Sequence, residues 1–254
     1  MGIISKILEH PLTRGMTVDD PRTTLLRRSI IQDKAFLRAL YTEWYERIIG
    51  VLPKKDDVLE LGSGAGFLRL FLPDAITSEV FETPGVRLIA DACHLPLPDH
   101  SLDAIVMTDV FHHIPDVGRF LLEAARCVRP GGKIVMVEPW RTRWSEWIYT
   151  HLHPEPFSPD SGWEIPSTGP LSGANGALPW IVFQRDRMLF EAQYPEWRIQ
   201  NIELMMPFSY LLSGGVSMRS LMPGWMYRPI RALEWILCQK LWAMFAFIEL
   251  ELVL

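Results

Sequence analysis

The chain has 254 residues, 48% apolar and 22% charged, a globular composition that excludes a disordered protein. Its net charge of −5 leaves no basic excess for binding a nucleic-acid backbone, and the pairs Arg27, Arg28 and Lys54, Lys55 read as solvated faces. Cys93, Cys127 and Cys238 form no CxxC pair, which argues against a disulfide framework or structural zinc and fits a reducing cytoplasm.

Met1 to Leu12 carries short apolar runs broken by Lys6 and Glu9, so no secretory signal is expected there. No run approaches the ~18 apolar residues of a membrane span. From Asp33 to Ile49, apolar residues recur at helical spacing and predict a helix ending near Gly50 and Pro53. Asp57 to Leu61 is a short strand, Gly62 to Gly66 a glycine loop, and Phe67 to Phe71 the start of a helix. Further strands are expected over Ala75–Phe81, Val86–Ala90, Leu102–Thr108 and Lys133–Glu138, with a helix over Val117–Cys127. Strands separated by helix-length segments imply right-handed crossovers and an α/β, Rossmann-like doubly wound sheet. From Trp140 to Pro179 the chain is rich in Pro, Gly, Ser, Trp and His without a period, as in a lid or insertion. A helix near Phe183–Ala192, a strand over Trp197–Met205, a helix over Pro229–Met244 and a terminal strand over Phe247–Leu254 complete the pattern. The expected division is an N-terminal helical segment (1–52), a core (53–139), an insertion or acceptor lid (140–196) and a C-terminal part completing the sheet (197–254).

The strongest local signal is Glu60-Leu61-Gly62-Ser63-Gly64-Ala65-Gly66 between a strand and a helix. Glycines let the backbone turn tightly and approach a ligand without an intervening β-carbon. A dinucleotide site wants G-x-G-x-x-G, but Phe67 stands where the third glycine belongs. A carboxylate two residues ahead of Gly62 would repel a pyrophosphate and hold an ammonium. The loop therefore favours an amino-acid-bearing nucleoside over a nicotinamide dinucleotide.

Four segments in order, VLELGSGAGFL, ADACHLPLPDHSLDAIV, TDVFHHIPD and RPGGKIVMVEP, resemble a class I S-adenosylmethionine-dependent methyltransferase of the small-molecule, ubiquinone-biosynthesis-like branch. The resemblance covers residues 57–138. It implies a seven-stranded sheet whose last strand is antiparallel, with S-adenosyl-L-methionine as cofactor and S-adenosyl-L-homocysteine as product. By the same resemblance Gly62, Ser63 and Gly64 pass the methionine portion, and Glu60 helps hold its amino group. Glu79 accepts the ribose hydroxyls, and Asp91, Ala92 and Cys93 lie beside the adenine. Asp109 follows the fourth strand at the ligand-binding edge of the sheet. Only Glu82 to Gly85 stands where the family places a helix between the second and third strands, so that edge is expected to be more open or covered by other elements.

An oxygen acceptor must lose a proton, and His112, His113, His151 and His153 are the candidate general bases. For His112 or His113 taken singly, local packing or capping is the favoured reading. His151, His153 and Glu155 would face one side of an extended segment as an H-x-H-x-E metal set, but Pro154 and Pro156 argue for an irregular loop, and no metal is assigned. Trp140, Trp144, Trp147, Trp163 and Trp180 either floor an acceptor pocket or pack against the sheet, packing being favoured. Met222, Trp225, Met226, Trp235, Ile236, Leu241, Trp242 and Met244 are expected to bury against the sheet, with peripheral membrane contact as the alternative.

The sequence thus reads as a methyltransferase of a small-molecule acceptor, with an oxygen of a hydroxylated or glycosidic metabolite preferred and a lipid or quinone acceptor the alternative. A non-catalytic cofactor-binding scaffold with the same fold is the rival from another class. Oligomeric state, metal dependence and pathway are not specified by these residues.

Overall fold

A computed structural model describes residues 21–64, 66–153, 155–166 and 173–253. The reading of Met1 to Leu12 lies outside the described residues. Helices α1 (Pro21–Asp33) and α2 (Ala35–Val51) precede strand β1 (Val58–Leu61). There follow β2 (Ile76–Glu79), β3 (Leu88–Ile89), β4 (Leu102–Thr108), α3 (Val117–Cys127), β5 (Val128–Pro139) and α4 (Arg143–His151). A helical turn at Leu178–Trp180 runs through a π-helical stretch (Ile181–Arg185) to α5 (Arg187–Gln193). The chain continues through β6 (Trp197–Met205), α6 (Ser209–Ser213), α7 (Tyr227–Trp235), α8 (Gln239–Trp242) and β7 (Phe245–Leu252).

The seven strands form one sheet in the order β3-β2-β1-β4-β5-β7-β6. The first five are parallel, while β7 runs antiparallel to both β5 and β6. Strand alternation divides the core in two. Val58, Ala104, Val106, Val135, Val137, Phe245 and Phe247 face α2, α4 and α7. Leu59, Ile105, Met107, Ile134, Met136, Ala246 and Ile248 face α3 and the 178–193 helical stretch. The result is a three-layer α/β/α arrangement. Helix α2 buries Phe36, Leu37, Leu40, Tyr41, Trp44, Tyr45 and Ile48 at 3–4-residue spacing. Each such side chain stabilises the fold by about 1.5–3 kcal/mol.

Several sequence expectations need correction. After the glycine loop the chain makes only one 3₁₀ turn, Leu68–Leu70, rather than a helix. Phe67, Leu68 and Leu72 are drawn into the core under α2, leaving the loop clamped by Tyr45, whose hydroxyl accepts the Phe67 N–H at 3.2 Å. The 140–179 segment contains a full helix, α4, started by a Thr142–Ser145 capping box that hydrophobic periodicity does not reveal. The single helix expected over Pro229–Met244 is two, α7 and α8, separated at Ile236–Cys238. Trp225, Trp235, Ile236, Leu241 and Trp242 are exposed rather than packed on the sheet, since α2, α4 and the inner face of α7 already cover that side. Met244 is buried as expected.

Candidate active site

In an open α/β sheet, ligands bind beyond the carboxyl ends of the strands, where strand order reverses. Here that point is between β1 and β4, and a cleft of about 320 Å³ opens there, within the size range of small-ligand sites. Its walls include Leu61 and Gly62 after β1, Glu79 and Val80 after β2, Ala90 to Ala92 after β3, and Thr108 to Val110 with His113 after β4.

Two glycines are held by geometry. Gly62 has φ +68°, and a β-carbon there would lie 2.4 Å from Val110 Cγ2. At Gly64 a β-carbon would lie 2.5 Å from Glu79 Oε1 and 2.2 Å from Thr24 Cγ2. The loop backbone therefore passes as close to its neighbours as glycine allows. Ser63 fastens it to β2: its N–H donates to the Ser78 carbonyl at 2.9 Å, and its hydroxyl accepts the Ser78 N–H at 3.0 Å. Ser63 and Gly64 brace the loop and are not among the residues that wall the cleft.

Glu79 accepts the Gly64 N–H at 2.7 Å through Oε1 and the Val80 N–H at 3.3 Å through Oε2. Burial raises its pKa, against those two donors. Glu60 is buried behind the loop rather than in the cleft wall, and burial pushes its carboxyl up to about 8. Asp91 lines the cleft, with its own carboxylate accepting the Cys93 N–H at 2.8 Å and facing His94 Nδ1 at 3.1 Å. Cys93 turns inward: it is buried with its thiol 3.4 Å from the Asp116 carbonyl, and burial raises its pKa to about 11. Ala92 stays on the wall.

The wall after β4 is organised by a residue the sequence reading did not single out, Glu138 at the end of β5. Fully buried, its carboxylate accepts the N–H groups of Val110 and Phe111 at 2.8 Å each, that of His112 at 3.4 Å, and His112 Nδ1–H at 2.8 Å. A charged acceptor buried with so many donors fixes the whole turn. On its other side the His112 ring meets Glu155 Oε2, 3.4 Å from Nε2, a charge contact without hydrogen-bond alignment. Burial opposes a charge on His112, but the two carboxylates raise its pKa well above the ordinary value. Burial likewise opposes a charge on Glu155, and His112 holds that carboxyl below the usual range. The trio is an imidazolium between two carboxylates.

Next to it, His113 lines the cleft, its ring 4.2 Å from that of His112. Its Nδ1 lies 3.1 Å from the Gly173 carbonyl, which can only accept, so the ring proton sits on Nδ1 and Nε2 keeps its lone pair. Burial and the neighbouring imidazolium lower its pKa to about 4. Asp109 has φ +63° and is shared by the cleft and a small adjoining cavity lined by Tyr149, His153, Glu155 and Tyr210. Burial pushes its carboxyl up to about 7, the Glu155 and Glu138 charges adding to the effect and His112 opposing it.

The four candidate histidines are thus not equivalent. His151 ends α4, stacks on Trp147 at 5.2 Å and bonds to its own helix, outside both cavities. His153 lines only the small cavity, with burial lowering its pKa. The H-x-H-x-E trio does not assemble, because α4 carries His151 away from Glu155. Ligand atoms of His112, His113 and Glu155 do lie within 4.8 Å of one another. A metal there would have to displace the His112 Nε2 proton, which the flanking carboxylates hold in place. None of Trp140, Trp144, Trp147, Trp163 and Trp180 lines either cavity; Trp163 donates to Asp186 at 2.9 Å and Trp180 lies under Arg141.

Two further elements of the site escaped the sequence reading. Thr24 and Arg27 of α1 line the cleft, so Arg27 is not the plain solvated face it resembled, and its charge reaches Glu79, Asp109 and Tyr41. Lys34, between α1 and α2, donates to the Gly215 carbonyl at 2.7 Å and also reaches the Met218 carbonyl, fixing the loop that brings Val216 to the cleft. Neither sits in a motif, and only folding brings α1 and that loop to the sheet edge.

Comparison with known proteins places this geometry. Residues 59–136 match the methyltransferase domain family. The 27-O-demethylrifamycin SV methyltransferase of Amycolatopsis mediterranei is 28% identical over 41% of this chain and 47% of that one. The demethylmenaquinone methyltransferase of Thermobifida fusca is 31% identical over 39% of this chain and 35% of that one. The chain thus spans less than half the length of these relatives. Geranyl diphosphate C-methyltransferase from Streptomyces coelicolor superposes with a TM-score of 0.54 at 14% identity, covering 97% of this chain and 92% of that one. An S-adenosylmethionine-dependent methyltransferase from Thermotoga maritima superposes at 0.52 and 16% identity, covering 84% and 89%. At these identities the structural likeness establishes the fold.

Proposed function

We propose, from the match of residues 59–136 to the methyltransferase domain family, that this chain is a class I S-adenosylmethionine-dependent methyltransferase and that it methylates an oxygen of a small-molecule acceptor. The observation that carries the reading is the cleft itself, where Gly62, Glu79, Asp91 and Asp109 converge from the ends of β1, β2, β3 and β4. The positions at Gly62 and Gly64 where a β-carbon would collide fit a cofactor held against bare backbone. Glu79 would hold the ribose hydroxyls, Asp91 and Ala92 would flank the adenine, and Arg27 would face the amino-acid carboxylate. Bound there, S-adenosylmethionine supplies an electrophilic methyl group on a sulfonium.

The chain's own residues then orient the acceptor and take up its proton. His113 carries that role: it lines the cleft, and the Gly173 carbonyl fixes its proton on Nδ1, leaving Nε2 free to accept. Glu138 and Glu155 position it indirectly, by holding His112 charged beside it and so keeping His113 neutral. Much of the rate would come from alignment and exclusion of water rather than from base strength. Asp109 is the second candidate base, because its raised pKa of about 7 lies nearer the working pH.

The names of the two relatives, one acting on a rifamycin and one on a menaquinone precursor, support a bulky oxygenated acceptor. The test is transfer of labelled methyl from S-adenosylmethionine to a panel of phenolic, glycosidic and quinol acceptors, followed by the pH dependence of kcat. With His113 as base, kcat stays level between pH 5 and 8 and falls toward its pKa of about 4. An acid limb near pH 7 would instead assign the base to Asp109. Cofactor binding without transfer to any panel member would favour the scaffold reading.

A further inference from the structure

A surface helix normally turns polar residues outward. Helix α7 does not. Tyr227, Ile230 and Glu234 are buried on one face, while Leu233, Trp235 and the following Ile236 project into solvent, Trp235 being 84% and Ile236 81% exposed. The apolar surface is not confined to that helix. Exposed Trp242 of α8 lies 5.7 Å from Trp144 of α4, which stacks at 6.3 Å on Trp147, itself half exposed. Trp225, 76% exposed, precedes the other end of α7. Large exposed aromatic and aliphatic side chains grouped in this way mark a binding face rather than ordinary surface.

We propose that this face docks on the surface of an anionic lipid bilayer. Charge selects the occupant. The protein is acidic overall, yet residues 206–244 contain Arg219, Arg228, Arg231 and Lys240 against one acid, Glu234. That acid is buried and paired with Arg231, which leaves Arg219, Arg228 and Lys240 exposed, Arg228 on the same helix as Trp235 and Lys240 on the same helix as Trp242. Arg228, Ala232 and Trp235 are spaced three or four apart on one stripe of α7, so cation and aromatic point the same way. Tryptophan at the headgroup level and lysine or arginine among anionic headgroups are the two ingredients of interfacial binding. A second copy of this chain is the poorer occupant. In a two-fold contact the patch meets itself, which would set these cations against one another with no exposed acid from residues 206–244 to pair them. No helix among the described residues is long and apolar enough to cross a membrane, so the contact is peripheral. The inference stands apart from the methyl-transfer reading.

The experiment is flotation of the full chain with vesicles of 30% phosphatidylglycerol in phosphatidylcholine, beside pure phosphatidylcholine. The protein should rise with the anionic vesicles and bind pure phosphatidylcholine at least tenfold more weakly. Each cation near such a surface is worth about fivefold in affinity, so Arg228→Gln with Lys240→Gln should lose at least tenfold. Trp235→Ser with Ile236→Ser should also release the protein, while both double variants keep the wild-type circular dichroism and S-adenosylmethionine affinity. Wild-type protein left at the bottom of the gradient with anionic vesicles overturns the proposal. So does a solution dimer that Trp235→Ser with Ile236→Ser converts to monomer.

Discussion

The two sides of the cleft are built by different means. The side made by the ends of β1, β2 and β3 is backbone held close to backbone and to short side chains: a glycine loop pinned to Ser78, Glu79 and Thr24 over short sequence distances, α1 excepted. The side made after β4 is a network of charges, Glu138 and His112 fully buried and Glu155 partly buried, joined across segments far apart in sequence. The first side tolerates almost no added atom and the second almost no lost charge.

The largest effect is expected where the charge network is cut. Glu138→Ala leaves the His112 imidazolium and three N–H groups without their buried acceptor, and unpairing a buried ion costs about 3–5 kcal/mol. Urea unfolding should show a loss of that order. A loss below about 1 kcal/mol would mean that the network does not hold the wall. On the opposite side, Gly62→Ala adds one methyl group at φ +68° against Val110. Backbone strain of about 1–3 kcal/mol should appear as lost stability, and calorimetry should find S-adenosylmethionine binding weakened about a hundredfold.

Asp109 offers a prediction with a sign. Its folded pKa of about 7 lies above its ordinary value of 3.8, so the folded state binds the proton more tightly than the unfolded chain. This carboxyl therefore costs no stability at low pH and makes folding progressively less favourable as the pH rises from about 4 to about 7. Asp109→Asn, which also tolerates positive φ, should raise the Tm by several degrees at pH 8 and by much less at pH 5. An equal change at both pH values would show that the Asp109 carboxyl is not raised in the folded protein. The smallest effect belongs to His151→Ala: on the exposed end of α4, stability should shift by no more than about 0.5 kcal/mol, with activity unchanged. A large loss of activity there would return His151 to the site.

The same contrast explains what was legible in the sequence. Where the cleft is walled by consecutive residues, as at Gly62 of the glycine loop, Glu79 at the end of its strand, Asp91 and Ala92, or the run after β4, the pattern could be read directly. The strand over Trp197–Met205 and the helix over Val117–Cys127 were legible because alternation and helical spacing are strong there. Glu138 looked like the last residue of an apolar strand, and nothing local says that its carboxylate will hold His112. Arg27 and Lys34 act through tertiary approach of α1, and Glu155 through an insertion whose helix starts at a capping box rather than at a periodic run. Helix α7 misled for another reason: an apolar residue at helical spacing signals a buried face only when some layer is left to cover it.

The most direct test of the account is titration of the folded protein with S-adenosylmethionine and S-adenosylhomocysteine, wild type beside Glu79→Ala. Saturable one-to-one binding of both ligands is predicted, weakened at least tenfold in the variant. The variant should also no longer discriminate against an analogue lacking the ribose hydroxyls. No binding by folded wild type, or equal affinity in Glu79→Ala, would contradict the assignment of this cleft to the cofactor.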